Sequence, residues 1–356
     1  MKILHTSDLH LASPLTSRLD PRLARIRRRE LLSSFERLTE AATRENCSAF
    51  IIAGDLFDSA RITESARLRV VDTIERKKDL TFIYLPGNHE KNAFLCGRLP
   101  ENLKVFSEDG WSTFEVGDTA FHGTRDSRAG MFGGLSTVAG KRNVAVLHGE
   151  LRASGQDAII ISEAKDKGLD YIALGHYHTY SETKIDEGCV AVYSGTPEGR
   201  GFDEVGELGY VIIDTNTLPV SHKFIKSATR TLHDITVDIE GLSKTLEVEE
   251  KVRAAVSHVE ESDLVRIRIS GRRELDFKPD LSAIHDRFSN RFFHLDLKDE
   301  TRLLISKDAF KYDKSLKGEF IRLVLSDDSI EEAERERIIE FGIRALMGES
   351  PDEDTV

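Results

Sequence analysis

The sequence is poor in cysteine, tryptophan, methionine and proline, with 3 Cys, 1 Trp, 3 Met and 8 Pro in 356 residues. Cys47, Cys96 and Cys189 are odd in number and widely spaced. They suit reduced thiols and exclude a disulfide framework or a cysteine-based zinc site. No uncharged apolar run approaches the ~18 residues a membrane helix needs, so no membrane association is expected. Met1 to His10 reads MKILHTSDLH. This turns polar too early for a secretory signal and predicts a cytoplasmic protein. A basic excess is also lacking. Net charge is −12, and Asp327 to Val356 holds 11 acidic against 3 basic residues, whereas the chain before it holds 51 and 47. The body is therefore nearly neutral, and a nucleic-acid partner would need a local patch or another subunit. Hydrophobic residues at 39% and charged residues at 31% exclude a disordered or fibrous chain. The length suggests two domains.

Five short apolar runs share one design. Lys2-Ile3-Leu4 leads into Ser7-Asp8-Leu9-His10, and Ala49-Phe50-Ile51-Ile52-Ala53 into Gly54-Asp55. Thr81 to Leu85 leads into Pro86-Gly87-Asn88-His89, Val144 to Leu147 into His148-Gly149, and Tyr171 to Leu174 into Gly175-His176-Tyr177-His178. Each run is apolar on both parities, as a strand buried on both faces reads. Helical patterns lie between them: Leu31, Phe35, Leu38 and Ala42 share one face, and Ala66, Val70, Val71 and Ile74 another. Strand–helix alternation predicts an α/β body spanning 1–228, with its site at the carboxyl ends of the strands.

Beyond it the spacing predicts a smaller α/β unit over 229–327. There Val265, Ile267 and Ile269 alternate with Arg266 and Arg268 as in a strand with one wet face. A last helix over 328–348 is expected to begin at a Ser329/Glu332 capping box and stop at Gly348. Its wide apolar stripe fits either self-packing or docking on a partner. An acidic tail fills 349–356.

The chemistry lies in the five turns. Residues two apart share a face at a strand end, so Asp8 and His10 do, as do His176 and His178. With Asp55, Asn88 and His148 they supply seven oxygen and imidazole donors, too many for one divalent ion and suited to two sharing a carboxylate. Asp55, after Gly54, is the natural bridge. One ion is expected on Asp8, His10, Asp55 and His178, the other on Asp55, Asn88, His148 and His176. Such a pair activates a bridging water and clamps phosphate oxygens, which is machinery for phosphoester hydrolysis. His89 is left over, able to stabilise developing charge or to protonate a leaving alkoxide.

The strings DLH, GDLFD, GNHE, LHGE and GHYH, in that order, resemble the calcineurin-like metallophosphoesterases, and most of all the bacterial SbcD-type DNA double-strand-break repair nucleases. The resemblance implies a two-sheet sandwich flanked by helices and followed by a capping domain. It implies two manganese ions on the seven donors, with iron or zinc also admitted by their chemistry, and a metal-free catalytic histidine at His89. It further implies Mn-dependent 3′-to-5′ exonuclease and single-strand endonuclease activity on DNA in repair, an SbcC-type coiled-coil ATPase partner and a homodimer. Two positions depart from the pattern: Glu90 stands where Asp is usual as support of His89, and Ala12 where Gly is usual.

Other readings stand beside this one. A small-molecule phosphodiesterase or phosphatase would use the same scaffold, and a non-catalytic adaptor of the ATPase would keep the metals for stability. Arg18, Arg22, Arg25, Arg27, Arg28 and Arg29 form a basic stretch that is either a solvated helix face or a set of DNA phosphate contacts. Arg272 and Arg273 are a second such candidate. His5 is expected to be packed in the core and His122 to lie in a surface turn or, alternatively, a loop near the substrate.

Overall fold

A computed structural model describes the chain apart from residues 16–18, 60–61, 90–92, 127, 153–157, 305–309, 311, 328 and 349–356. Two compact units divide it, Met1–Leu232 and His233–Val356.

In the first unit, strands β1 (Lys2–Thr6), β2 (Cys47–Ala53) and β3 (Thr81–Leu85) run parallel at the centre of a six-stranded sheet. Gly209–Asp214 pairs antiparallel on the other side of β1, and Ser221–Lys226 and Leu103–Val105 form the edges. A second six-stranded sheet centres on Tyr171–Gly175, parallel to both Arg142–His148 and Val190–Tyr193. The double parity of the apolar runs is now explained. Ile3, Ile51 and Ile83 from one sheet meet Val144, Val146 and Ala173 from the other in one buried core. The opposite parity, Leu4, Phe50, Ile52 and Phe82, packs on Phe35, Leu38 and Ala42 of helix α1 (Pro21–Arg44) and on Val70, Val71 and Ile74 of helix α2 (Glu64–Arg76). On the outer face of the second sheet, Ala145, Leu147, Ile172 and Leu174 pack on Phe132, Ile159 and Leu169. Each large apolar side chain buried this way contributes roughly 1.5–3 kcal/mol, so strand position is fixed from both faces at once. The fold is α/β, with two multi-stranded sheets and flanking helices.

Helix α1 starts because Asp20 accepts hydrogen bonds from the amides of Arg22 (2.8 Å) and Leu23 (3.1 Å), with Pro21 just inside. His5 is fully buried, its ring meeting the Tyr171 hydroxyl at 3.1 Å and the Leu174 carbonyl at 3.2 Å. His122 departs from its expected surface turn. It lies within the strand Thr119–Gly123, fully buried, with its ring 2.9 Å from both Thr113 Oγ1 and Asn143 Oδ1. The apolar run Ala120–Phe121 extends through His122 because those two polar neighbours satisfy the ring.

In the second unit, the strand Leu264–Ser270 lies between Leu232–Asp238 and His294–Asp299. Val265, Ile267 and Ile269 are buried with Val248 and Val252 of helix α3 (Thr245–Ala255) and Ile284 of helix α4 (Leu281–Phe288). On the other face, Arg266 pairs with Asp296 at 2.7 Å and Arg268 with Asp234 at 2.8 Å. Arg273 is buried, donating to Thr301 Oγ1 and the Phe277 carbonyl, so it is spoken for inside the fold. Helices α5 (Leu316–Ser326) and α6 (Glu332–Leu346) share a small core of Ile321, Val324, Ile339 and Ile343. Helix α6 thus packs through one face, while Phe341 and Leu346 stay exposed. It begins later than expected: Glu331 is its N-cap, and the Ser329 hydroxyl bonds Asp327 instead. Gly348, at φ 74°, ends it in the left-handed conformation. Among the described residues no helix is long and apolar enough to cross a membrane.

Two stability outcomes follow. Burial lowers the His5 ring's pKa to about 3, against the raising effect of its bond to Leu174. Below pH ~6.5 the unfolded chain therefore binds a proton the folded chain refuses, and stability falls with pH until the folded ring titrates. Denaturant melts at pH 7 and pH 4 should show the wild type losing about 3 kcal/mol more than His5→Gln. Ala12 has φ 65°, where a Cβ is disfavoured, and Ala12→Gly should raise stability by about 0.5–1 kcal/mol in the same assay.

Candidate metal centre

Strands β1, β2, β3, Arg142–His148 and Tyr171–Gly175 deliver their following turns to one place. The backbone there is unusual: Asp8, His10, Asp55 and His176 have φ of 52°, 44°, 49° and 102°. Left-handed conformations are uncommon without glycine and cost roughly 1–2 kcal/mol each. They are held by cross-bonds between the first two turns, Asp8 N–H to the Gly54 carbonyl and His10 N–H to the Asp55 carbonyl, both 3.0 Å. Two glycines make room. A Cβ on Gly54 (φ 93°) would stand 2.0 Å from His148 Nδ1, and one on Gly87 would stand 2.1 Å from Asp55 Oδ1.

Among the described residues three groups of donors converge, each with its atoms within 4.8 Å of one another: Asp8, His10 and His178; Asp8, Asp55 and His148; and His10, Asp58 and His89. His10 Nε2 lies 3.2 Å from His178 Nε2 and 3.9 Å from Asp55 Oδ2. His148 Nε2 lies 3.4 Å from Asp55 Oδ2 and 3.3 Å from Asn88 Oδ1. The His176 ring stands 5.4 Å from that of His148, and its amide donates to both Asp8 oxygens at 3.0 and 3.1 Å. The structure therefore brings Asp8, His10, Asp55, Asn88, His148 and His178 together, with the His176 ring beside that of His148. Asp55 lies between the His10 and His148 sides, where a bridge belongs, and Asp8 also reaches both sides.

The ring orientations fit a cation. His148 Nδ1–H donates to the Ala53 carbonyl at 2.9 Å and His178 Nδ1–H to Glu204 at 2.8 Å. Each turns Nε2 toward the centre, that of His148 facing Asp55 and Asn88 oxygens and that of His178 facing His10 Nε2 and an Asp8 oxygen. Atoms of that kind repel unless positive charge lies among them. The electrostatics say the same. Burial works against the His148 imidazolium, yet Asp55 and Asp8 raise its pKa to about 9. His178 is also raised: burial opposes its charge, and the bond to Glu204 and the Asp8 charge outweigh burial. Burial likewise disfavours the Asp55 carboxylate, but His148, His10 and the His89 amide hold its carboxyl well below the usual range. Two carboxylates among imidazoles form a donor set for divalent metals.

His89 has a half-exposed ring 4.9 Å from that of His10, with its Nε2 3.9 Å from Asp55 Oδ2. Its Nδ1 faces the Asp58 carbonyl at 3.2 Å. Glu90, expected to support it, lies outside the described residues, as does Arg18. Asp58, Arg200 and Glu204 were not singled out by sequence reasoning. Asp58 lies inside GDLFD, and Glu204 inside Gly201-Phe202-Asp203-Glu204. The basic stretch divides. Arg27 is buried against Glu30, Glu198 and the Gly199 carbonyl, so its charge is consumed within the fold and it is no DNA contact. Arg28 donates to the Pro14 carbonyl at 2.6 Å. Arg22, Arg25 and Arg29 are exposed on α1.

Residues 1–192, more than half of the chain, match the model of the family described as Calcineurin-like phosphoesterase. The chain belongs to the calcineurin-like metallophosphoesterases and has DNA double-strand break repair proteins named Mre11 among its relatives. It is 26% identical to the uncharacterized metallophosphoesterase YhaO of Bacillus subtilis, over 76% of this chain and 69% of that one. It is 25% identical to the DNA double-strand break repair protein Mre11 of Saccharolobus solfataricus, over 69% and 68%. With the Mre11 of Methanosarcina mazei identity is 28% over 69% of this chain, which spans only 41% of that relative. The family supports a metal-dependent phosphoester hydrolase.

Replacing Asp55 by Asn keeps the shape and removes the charge between the His10 and His148 sides. By calorimetry Asp55→Asn should bind one Mn²⁺ fewer than wild type, with an unchanged far-ultraviolet circular dichroism spectrum.

Proposed function

We propose that this protein is a manganese-dependent DNA nuclease, a 3′-to-5′ exonuclease with endonuclease activity on single strands, acting in DNA repair. The observation that carries the proposal is the meeting of Asp8, His10, Asp55, His148 and His178 in two overlapping donor groups. Asp8, His10, Asp55 and His178 would hold one ion, and Asp55, Asn88, His148 and His176 the other. When bound, the ions supply Lewis acidity to phosphate oxygens and to the attacking water. The chain's own residues do the rest. Ala53 and Glu204 keep His148 and His178 in the ligating tautomer. His89, held by the Asp58 carbonyl, stabilises the charge developing on the phosphoryl group or protonates the leaving alkoxide.

DNA as substrate is supported by the relatives named as DNA double-strand break repair proteins. The spacing of Arg22, Arg25 and Arg29 also puts three exposed guanidiniums on one face of α1, suited to sequence-independent phosphate contact. The C-terminal helix, with Phe341 and Leu346 exposed, docks on an SbcC-type coiled-coil ATPase, and the nuclease works as a homodimer in the cytoplasm. Net acidity of −12 favours the competing reading, a small phosphodiester as substrate.

Linear duplex DNA in Mn²⁺ decides between them. Stepwise shortening from the 3′ ends is expected; an intact duplex beside turnover of a small aromatic phosphodiester would sink the DNA reading. Replacing Arg22, Arg25 and Arg29 together by Ala should weaken DNA binding and flatten the plot of log affinity against log salt by about 2–3 in slope. Small-ester turnover should be unchanged.

A further inference from the structure

We infer that Arg200 is a positioning residue that orients two imidazoles of the centre, His10 and His178, at the same time. The inference rests on the reading that these two rings ligate an ion. Their Nε2 atoms are 3.2 Å apart, so the direction of each ring is set by what its Nδ1 meets. For His178 that is a hydrogen bond to Glu204 Oε1 at 2.8 Å; His10 Nδ1, buried and without a hydrogen bond, faces Asp58 Oδ1 at an ion-pair distance of 3.4 Å. One guanidinium joins these two carboxylates. Arg200 Nη1 donates to Asp58 Oδ1 at 2.7 Å, while Nε and Nη2 donate to Glu204 Oε1 at 3.0 and 2.7 Å. The amide of Arg200 donates to the other Glu204 oxygen at 2.6 Å.

Three physical points make this more than a salt bridge. Glu204 is only 2% exposed, and a carboxylate so buried needs paired charge to stay in place. Arg200 supplies it through a rigid planar fork, which fixes direction as well as charge. The carboxylates behind the rings determine which way each Nε2 points, and such partners commonly govern metal affinity. Asp58 in addition offers its carbonyl to His89 Nδ1 at 3.2 Å, so the same fork steadies the segment on which the His89 ring rests.

The test is calorimetric titration of the full chain with Mn²⁺, with the melting temperature read in parallel. Wild type should bind two ions. Arg200→Ala should weaken one of them by about 10- to 100-fold and leave the other unchanged. Arg200→Lys, which keeps charge without the fork, should weaken the same ion. Wild-type affinity for both ions in these variants would overturn the inference, whatever happens to the melting temperature, because a purely structural ion pair changes only the latter. Should Arg200→Ala fail to fold, Glu204→Gln decides: loss at one ion is expected, and unchanged affinity at both overturns the inference. Wild type that binds fewer than two Mn²⁺ defeats the underlying metal reading itself, an outcome visible before any variant is compared.

Discussion

Two carboxylates, Asp8 and Asp55, lie buried where the strand ends of the two sheets meet, and anionic oxygen so far from water needs positive charge or N–H groups around it. Much of the local structure answers that demand. The amides of His176 and His89 donate to these oxygens, imidazoles surround them, and left-handed turns place the donors despite their conformational cost. The same carboxylates raise the pKa of His148 to about 9 against the effect of burial. A divalent ion supplies more charge and accepts lone pairs from several directions, which a proton cannot.

The same demand explains why the body is built as it is. Parallel strands all finish at one side of a sheet, so a few short runs can deliver side chains that are remote in sequence to a common point. The two faces of each sheet are filled by independent sets of apolar residues. A core held from both sides can oppose the strain of the turns. Gly54 and Gly87 are small for a spatial reason: a side chain at either would occupy the place of a donor.

The sequence was most informative where residue type and period coincide. Buried strands were legible in runs such as Phe50-Ile51-Ile52, because apolar residues at both parities leave few alternatives. The seven donors were legible because each closes such a run. His122 was misjudged since a polar residue at a strand end looks like a turn, and only Asn143 and Thr113, distant in the chain or across a hairpin, reveal why it is tolerated inside. Arg27 looked like its exposed neighbours until Glu198 was brought to it from the far end of the body. Arg200, Asp58 and Glu204 were hidden for the same reason. Their meaning is a relation between Asp58 and the distant segment that carries both Arg200 and Glu204, and no local period encodes it.

The order of strands carries one more implication. Residues 1–192 match the family model, yet β1 has its antiparallel neighbour in Gly209–Asp214, and that strand has its own in Ser221–Lys226. A fragment ended at 192 would retain the proposed ligands and leave one side of β1 as bare N–H and C=O groups. Exposed and apolar, such an edge invites intermolecular pairing. The two returning strands thus act as a sealing rim for the sheet, and proteolysis between the matched region and that rim would turn a well-behaved protein into a self-associating one.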